Sequence, residues 1–153
     1  MIQFLSSDDN PELQLEAAWV LTNIAAGKEG QTAVVVKHGV IPQFIKLLHS
    51  SNIEVKNQAI WGLGNIAGAS AGLRNLVLSH GAMAALSKIC NVKNMQTQKE
   101  IELQRNLAWA LSNFCRDRGK PQPEWQYIEI AIKTLRIMLS LIHISEPTRR
   151  DQI

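Results

Sequence analysis

The stretch "VKNQAIWGLGNIAGA" at residues 55–69 decides the fold, because two similar stretches occur elsewhere in the same chain. The other copies are "LQLEAAWVLTNIAAG" at residues 13–27 and "LQRNLAWALSNFCRD" at residues 103–117. The tryptophans that mark their common register are Trp19, Trp61 and Trp109. The copies therefore follow one another at intervals of 42 and 48 residues, which is typical of a repeat architecture.

Each repeat unit is predicted to contain three helices and no strand. The unit around the middle copy has helices at about 29–37, 42–49 and 53–67, with Pro42 in the first turn of its second helix. Five glycines are placed to end helices in the left-handed conformation, namely Gly27, Gly39, Gly68, Gly81 and Gly119. A helical period of 42 residues is the size of a HEAT or armadillo repeat, and such units bury their apolar faces by stacking. The sequence thus predicts an all-α solenoid.

The domain prediction follows the repeats. It comprises a partial repeat at 1–27, full repeats at 28–69 and 70–118, and a second partial repeat at 119–144. The six extra residues of the longer interval fall in the polar stretch 91–100, which is interpreted as an enlarged loop. Residues 145–153 break the pattern and are interpreted as a non-native or disordered tail.

Composition excludes several classes of protein. Apolar residues make up 46% of the 153 residues and charged residues 19%, which is enough for a core and excludes general disorder. Cys90 and Cys115 have no C-x-x-C spacing, so we expect reduced thiols and no metal or cofactor. The chain has no run of five like charges, no secretory signal and no membrane-spanning segment, and we expect it to bind neither nucleic acid nor membrane. The G-x-S-x-G match at 68–72 follows a predicted helix rather than a strand, so we expect no enzyme.

Helical phase separates a buried face from a polar stripe on the three copies. The predicted core positions are Leu13, Ala17, Val20, Leu21, Ile24, Val55, Ala59, Leu63, Ile66, Leu103, Leu107, Leu111 and Phe114. The stripe on the other face holds Glu12, Glu16, Trp19 and Asn23, then Glu54, Gln58, Trp61 and Asn65, then Glu102, Asn106, Trp109 and Asn113. Packing against the neighbouring repeat could account for one tryptophan, but a tryptophan followed four residues later by asparagine in all three copies favours binding.

The chemistry of the stripe indicates an extended peptide rich in lysine or arginine. Asparagine amides can pair with both the N–H and the C=O of a peptide backbone. Indole faces attract cationic heads and accommodate their aliphatic stems, while the carboxylates add charge-assisted hydrogen bonds.

At these residues the sequence resembles a known family. The segments "EAAWVLTNIAAG", "NQAIWGLGNIAG" and "NLAWALSNFCR" resemble the armadillo repeats of importin-α, the adaptor that recognises nuclear localisation signals. The resemblance covers about residues 3–142 and implies a fragment, with the second to fourth repeats of an armadillo-type right-handed solenoid.

The resemblance also implies roles for individual residues. Trp19, Trp61 and Trp109 match the family's tryptophan array, and Asn23, Asn65 and Asn113 match its asparagine array. Gln58 and Asn106 match auxiliary polar contacts, and Gly27 and Thr32 match positions that meet the most tightly held lysine of the signal. A third partner of that lysine is an aspartate in the family, where this chain has Ala69.

The functional expectation is therefore a nuclear-import adaptor that binds basic localisation signals and catalyses nothing. The resemblance implies cargo proteins and importin-β as partners, although the importin-β-binding segment is absent here, and shuttling between cytoplasm and nucleus. The alternative is another armadillo or HEAT scaffold, similar to a catenin, whose groove would suit acidic partners. The carboxylates on the stripe favour the adaptor over the scaffold.

Overall fold

The computed structural model describes residues 1–7, 9–90, 95, 97–117 and 119–145, and this part of the chain contains helices and no strand. A short 3-10 helix, Ile2–Ser6, comes first. The α-helices that follow are α1 (Pro11–Ala25), α2 (Glu29–Lys37), α3 (Val40–Leu47), α4 (Ile53–Ala69), α5 (Ala71–Ser79), α6 (Ala82–Ile89), α7 (Gln98–Cys115) and α8 (Trp125–Ser145). The prediction of an all-α protein is confirmed. The predicted tail lies outside the described residues from position 146 onward.

The three long helices that carry the repeated motif pack side by side. Helix α4 lies between α1 and α7 and contacts both along its length. The shorter helices α2 and α3 precede α4, while α5 and α6 precede α7, so each motif helix closes a three-helix unit. Helix α8 packs against α6 and α7. One continuous set of buried apolar side chains runs through these layers, as expected for stacked repeats.

Side-chain caps fix where several helices begin. The capping residues are Asn10 for α1, Asn52 for α4, Ser70 for α5 and Thr97 for α7. Ser70 accepts a hydrogen bond from the backbone N–H of Leu73 at 3.4 Å. The serine of the G-x-S-x-G match therefore lies between two helices and caps the second, in a setting unlike the strand-to-helix turn of a nucleophile elbow.

The structure corrects two of the glycine predictions. Gly39, Gly81 and Gly119 have φ near +80°, in the left-handed region that favours glycine. Gly68 lies inside α4, and Gly27 has no positive φ, so the prediction for those two was wrong. Gly39 ends α2 and also precedes α3, which consequently begins at Val40, two residues before the predicted start.

The predicted core is confirmed in α4 and α7 but not throughout α1. All the predicted core residues of α4 and α7 are buried. In α1, Ala17 and Leu21 are buried, whereas Leu13 and Ile24 are exposed and Val20 is half-buried. The elements that pack against α1 among the described residues include α4, the short 3-10 helix and α2. Helical phase gives the direction of a side chain but not whether a neighbouring repeat covers it.

Two buried glutamines join motif helices to the preceding short helices, and the sequence analysis missed both. Gln14 in α1 donates a hydrogen bond to the carbonyl of Leu5 at 2.9 Å. Gln104 in α7 donates to the carbonyl of Ile89 at 3.1 Å, at the end of α6. Each amide satisfies a carbonyl at a helix C-terminus, where the backbone has no partner within its own helix.

A buried arginine holds the loop between α7 and α8. Arg74 in α5 has no exposed surface and donates hydrogen bonds to the carbonyls of Arg116, at 2.9 Å, and Pro121. A third bond joins its Nε to the side-chain oxygen of Asn75 at 3.0 Å. Burial lowers the pKa of Arg74, and the negative charge of Asp117 opposes that effect. The guanidinium therefore replaces water as the partner of two loop carbonyls.

The two cysteines lie at the C-terminal ends of α6 and α7. Cys90 and Cys115 are free and half-buried, and burial raises the pKa of both thiols. In the described ranges, none of the helices combines the length and the apolarity that crossing a bilayer requires.

Candidate functional site

The tryptophans of the three motif copies lie on one exposed face of the α1–α4–α7 layer. Trp19 is 51% exposed, Trp61 45% and Trp109 37%. These large apolar side chains thus keep a third or more of their surface in water, although each helix has a buried face available. We call the surface formed by these three residues and Asn23, Asn65 and Asn113 the tryptophan face. Its regular indole spacing follows from the packing of adjacent helices at about 8–10 Å.

A glycine in α4 leaves room for the indole of Trp109, the third tryptophan of the tryptophan face. A Cβ atom added at Gly64 would lie 2.5 Å from Cζ3 of Trp109, which is closer than two carbon atoms can approach. The absence of a side chain at Gly64 therefore lets the indole of α7 lie directly against the backbone of α4. At the equivalent place in α1 the chain has Thr22, whose hydroxyl donates to the carbonyl of Gln58 at 3.2 Å.

The asparagines of the second and third copies bond to the preceding motif helix. Asn65 Nδ2 donates to the carbonyl of Thr22 at 3.2 Å, and Asn113 Nδ2 donates to the carbonyl of Gly64 at 3.2 Å. Asn23 bonds within its own helix, to the carbonyl of Trp19 at 3.0 Å. The sequence analysis did not foresee this contact between repeats. It gives two of the amides a structural role, so peptide binding by the asparagines stays a prediction.

Exposure differs among the three asparagines. Asn23 is exposed, Asn65 is half-buried and Asn113 is only 4% exposed. Their Oδ1 atoms accept no hydrogen bond from any of the described residues, while Nδ2 of each is occupied. The amide groups are thereby held in a fixed orientation that leaves an acceptor for an incoming N–H group.

A pocket of about 440 Å³ lies beside Trp19, toward the N-terminal halves of the three motif helices. The residues that line it are Leu15, Glu16, Trp19, Ile53, Glu54, Asn57, Gln58, Lys99 and Glu102. Three of its side chains are carboxylates and one is an ammonium group, so the pocket has a net negative charge. We call it the acidic pocket. Glu12, the fourth predicted acidic contact, is exposed and does not line it.

One carboxylate of the acidic pocket already has a cationic partner. Lys99 Nζ lies 2.8 Å from Glu54 Oε1, and this hydrogen bond raises the pKa of Lys99. The side chains keep 64% and 49% of their surfaces exposed, respectively. No sequence pattern pointed to Lys99, because it lies outside the repeated segment and 45 residues from its partner.

The two predicted auxiliary residues have different surroundings. Gln58 borders the acidic pocket, and its Oε1 is buried without a hydrogen-bond partner among the described residues. Asn106 Nδ2 donates to Asn57 Oδ1 at 2.9 Å, which links α7 to α4. Gln58 thus retains an acceptor beside the pocket, whereas Asn106 contributes to the contact between the two motif helices.

The remaining predicted site residues, Gly27 and Thr32, come after α1, and Ala69 ends α4. Thr32 is fully buried in α2, and its hydroxyl donates to the carbonyl of Ala25 at 3.0 Å. Gly27 is exposed, and a Cβ there would lie 2.4 Å from Gln31 Oε1. Ala69 is the last residue of α4 and is half-buried. Thr32 presents no surface to a ligand in this conformation, so a contact between Thr32 and a ligand stays a prediction.

The described residues hold no group of three histidine, cysteine, aspartate or glutamate side chains that could bind a metal ion. The tryptophan face and the acidic pocket instead combine aromatic surface, carbonyl acceptors and carboxylates. That combination suits a ligand with cationic heads on aliphatic stems.

Comparison with known proteins adds evidence from sequence. The armadillo/beta-catenin-like repeat family matches residues 1–26 and 28–68. Importin subunit alpha-1a of Oryza sativa subsp. japonica is 45% identical over 145 residues, which are 95% of this chain and 26% of that protein. Importin subunit alpha-B of Dictyostelium discoideum is 50% identical over 137 residues, which are 88% of this chain and 25% of that protein. The chain therefore spans about a quarter of the length of these relatives.

Comparison with solved structures supports the fold. A designed armadillo repeat protein in complex with the peptide (KR)4 matches with a TM-score of 0.75 at 22% identity, covering 95% of this chain and 56% of that one. An engineered protein matches with a TM-score of 0.74 at 25% identity, covering 98% of this chain and 54% of that one. Together with the family match, these likenesses confirm an armadillo-type α-solenoid.

Proposed function

Because this chain is an armadillo-repeat protein related to importin subunits alpha, we propose that it binds extended, lysine- or arginine-rich peptides along its tryptophan face. In this proposal the peptides are nuclear localisation signals, and the protein acts as an adaptor in nuclear import. The observation that carries the proposal is the exposure of Trp19, Trp61 and Trp109 on one face of three adjacent helices.

The spacing of the repeats suits a peptide in the extended conformation. Adjacent motif helices lie about 8–10 Å apart, whereas an extended peptide advances about 6.6 Å for every two residues. Slots between successive indoles would then receive every second or third side chain of the peptide. A lysine stem in such a slot contacts apolar indole surface while its ammonium lies over the ring or near a carboxylate.

The proposed roles of the site residues follow from their surroundings. The indoles bind cationic side chains, and the Oδ1 atoms of Asn23, Asn65 and Asn113 accept hydrogen bonds from the peptide backbone. Gln58, with an unpartnered acceptor, and the carboxylates of the acidic pocket bind cationic heads. Gly27, Thr32 and Asn106 remain proposed contacts from the resemblance alone.

The wider role concerns a longer protein than this chain. We propose that the intact protein carries cargo with basic signals, engages importin-β and shuttles between cytoplasm and nucleus. None of these steps is chemical catalysis, and we propose that the protein is not an enzyme.

A titration tests the binding proposal. A fluorescent lysine-rich signal peptide should bind the protein, and the same peptide with its lysines replaced by alanine should bind at least tenfold more weakly, because each cation–π contact contributes about 0.5–2 kcal/mol. The affinity should fall as salt is added, since the carboxylates attract the peptide electrostatically. A preference for an acidic peptide of the same length would instead favour a scaffold for acidic partners.

A substitution at the end of α4 should strengthen binding. Replacing Ala69, which is half-buried beside the start of α5, with aspartate places a carboxylate at the position where the family has one. We expect Ala69→Asp to raise the affinity for the lysine-rich peptide about two- to tenfold at low salt, through a partly shielded charge-assisted hydrogen bond. Isothermal titration calorimetry at two salt concentrations measures the gain.

Ala69→Asn is the matched control for that substitution, because it has nearly the same shape as aspartate without its charge. An equal gain from Ala69→Asn, or a gain that is unchanged in high salt, would contradict an electrostatic role at this position.

A further inference from the structure

The acidic pocket contains a lysine supplied by the protein itself. Lys99 is in the first turn of α7, and its Nζ lies 2.8 Å from Glu54 Oε1 across the gap between α7 and α4. Trp19 and Glu16 of α1 line the same pocket. An ammonium on a four-carbon stem, against a carboxylate and in the same pocket as an indole, is the chemical group that the proposed ligand would bring.

We propose that Lys99 competes with cationic side chains of the ligand for Glu54, and so determines how strongly the acidic pocket selects basic residues. This inference rests on the proposed function, and it concerns a residue that neither the repeats nor the family resemblance assigns to the groove. When Lys99 is paired with Glu54, the pocket accepts a neutral side chain of the ligand, because the Glu54 carboxylate already has a cationic partner. When Lys99 is absent, the pocket favours a basic side chain of the ligand.

The exposure of the pair makes the competition possible. Both side chains keep about half or more of their surface in water, so separating them removes a weak interaction and no buried charge is left behind. Lys99 also has a second acceptor within reach of its helix, since Glu102 lies three residues later on α7 and lines the same pocket. A ligand cation that takes the place of Lys99 at Glu54 therefore leaves the Lys99 ammonium able to pair with Glu102 instead.

The net charge of the acidic pocket predicts whether removing Lys99 strengthens or weakens the binding of a cationic ligand. The carboxylates of Glu16, Glu54 and Glu102 and the ammonium of Lys99 sum to a negative pocket. Removing the ammonium makes the pocket more negative and frees Glu54 at the same time. Both changes favour a cationic ligand, and both weaken as salt screens the charges.

The experiment compares Lys99→Met with Lys88→Met in the full chain. Each substitution removes one exposed lysine from a helix and replaces it with a flexible apolar side chain, but Lys88 is on α6 and does not line the acidic pocket. The probes are a fluorescent lysine-rich peptide and a set of variants of it, in each of which one basic residue is replaced by norleucine, which keeps the stem and lacks the charge.

Lys99→Met should tighten binding of the lysine-rich peptide about two- to fivefold at low salt, the range expected when one exposed ion pair no longer competes. Lys88→Met should change it less than twofold. One norleucine position should lose the gain from Lys99→Met, which identifies the ligand side chain that meets the pocket. In a Glu54→Gln background, the gain from Lys99→Met should be smaller, because only the change in the charge of the pocket remains and no competition for Glu54 is relieved.

The outcomes separate the two proposals. Tight binding by the unmodified protein, with equal effects from Lys99→Met and Lys88→Met, overturns the competition and leaves the proposed function intact. An equal gain in peptide affinity from Lys99→Met with Glu54 present and in the Glu54→Gln background also overturns the competition. Failure of the unmodified protein and of both variants to bind the lysine-rich peptide overturns the proposed function, and the inference fails with it.

Discussion

Trp61→Ala should weaken binding of a lysine-rich peptide at least tenfold. Trp61 is the central indole of the tryptophan face and is 45% exposed, so its loss removes the wall shared by two adjacent slots. A cation–π contact contributes about 0.5–2 kcal/mol, and the apolar contact with the lysine stem adds to it. We expect the two contributions together to reach about 1.4 kcal/mol or more, which corresponds to a loss of at least tenfold in affinity. Fluorescence anisotropy with a labelled peptide measures it.

Two controls separate binding from folding. Trp125→Ala removes an indole that is 68% exposed at the start of α8 and is not one of the residues of the tryptophan face, so it should leave the affinity unchanged. Leu63→Ala truncates a fully buried side chain two residues from Trp61 and should lower the free energy of unfolding by about 2–5 kcal/mol. Trp61→Ala should destabilise the fold less than Leu63→Ala does. If Trp61→Ala unfolded the protein, or left the affinity unchanged in a folded protein, the central slot would be disproved.

Arg74→Met should lower the free energy of unfolding by about 3 kcal/mol or more, because two loop carbonyls lose a buried donor and each such loss costs about 1–3 kcal/mol. The substitution keeps most of the length and the apolar volume of the side chain, so the effect reports the hydrogen bonds to Arg116 and Pro121 rather than a cavity. Urea denaturation followed by circular dichroism measures the change.

Arg105→Met provides the comparison for that prediction. Arg105 is exposed on α7, and its replacement should change the free energy of unfolding by no more than about 0.5 kcal/mol. Arg74→Lys should fall between the two, because lysine keeps the charge but loses the planar fork that reaches several acceptors. Equal stability of Arg74→Met and Arg105→Met would show that the loop is held by other contacts.

The pattern of each motif helix was readable in the sequence, but the pairing between helices was not. Helical phase placed Trp61 off the buried face because direction around a helix follows from residue spacing alone. The same reasoning predicted that Leu13 is in the core, but in the structure Leu13 is exposed. Phase is a property of one helix, whereas burial depends on whether another repeat lies against it.

The asparagines illustrate the same limit. Their recurrence four residues after each tryptophan indicated a shared role, and the resemblance implied contact with a peptide backbone. Only the tertiary structure shows that Asn65 and Asn113 donate to carbonyls of the preceding motif helix. Those carbonyls lie 43 and 49 residues away along the chain. A local pattern cannot specify which donor meets which acceptor across that separation.

The sequence by itself determined the helical repeat, the period and the face that carries the tryptophans, because these depend on residues a few positions apart. Three contacts became visible only in the tertiary structure. Lys99 pairs with Glu54, Arg74 binds the loop after α7, and the indole of Trp109 lies against Gly64. Each of these contacts joins residues 42 or more positions apart, so it exists only once neighbouring repeats have stacked. Stacking fixes the distances between helices, and hydrogen bonds and ion pairs depend on those distances far more steeply than apolar burial does.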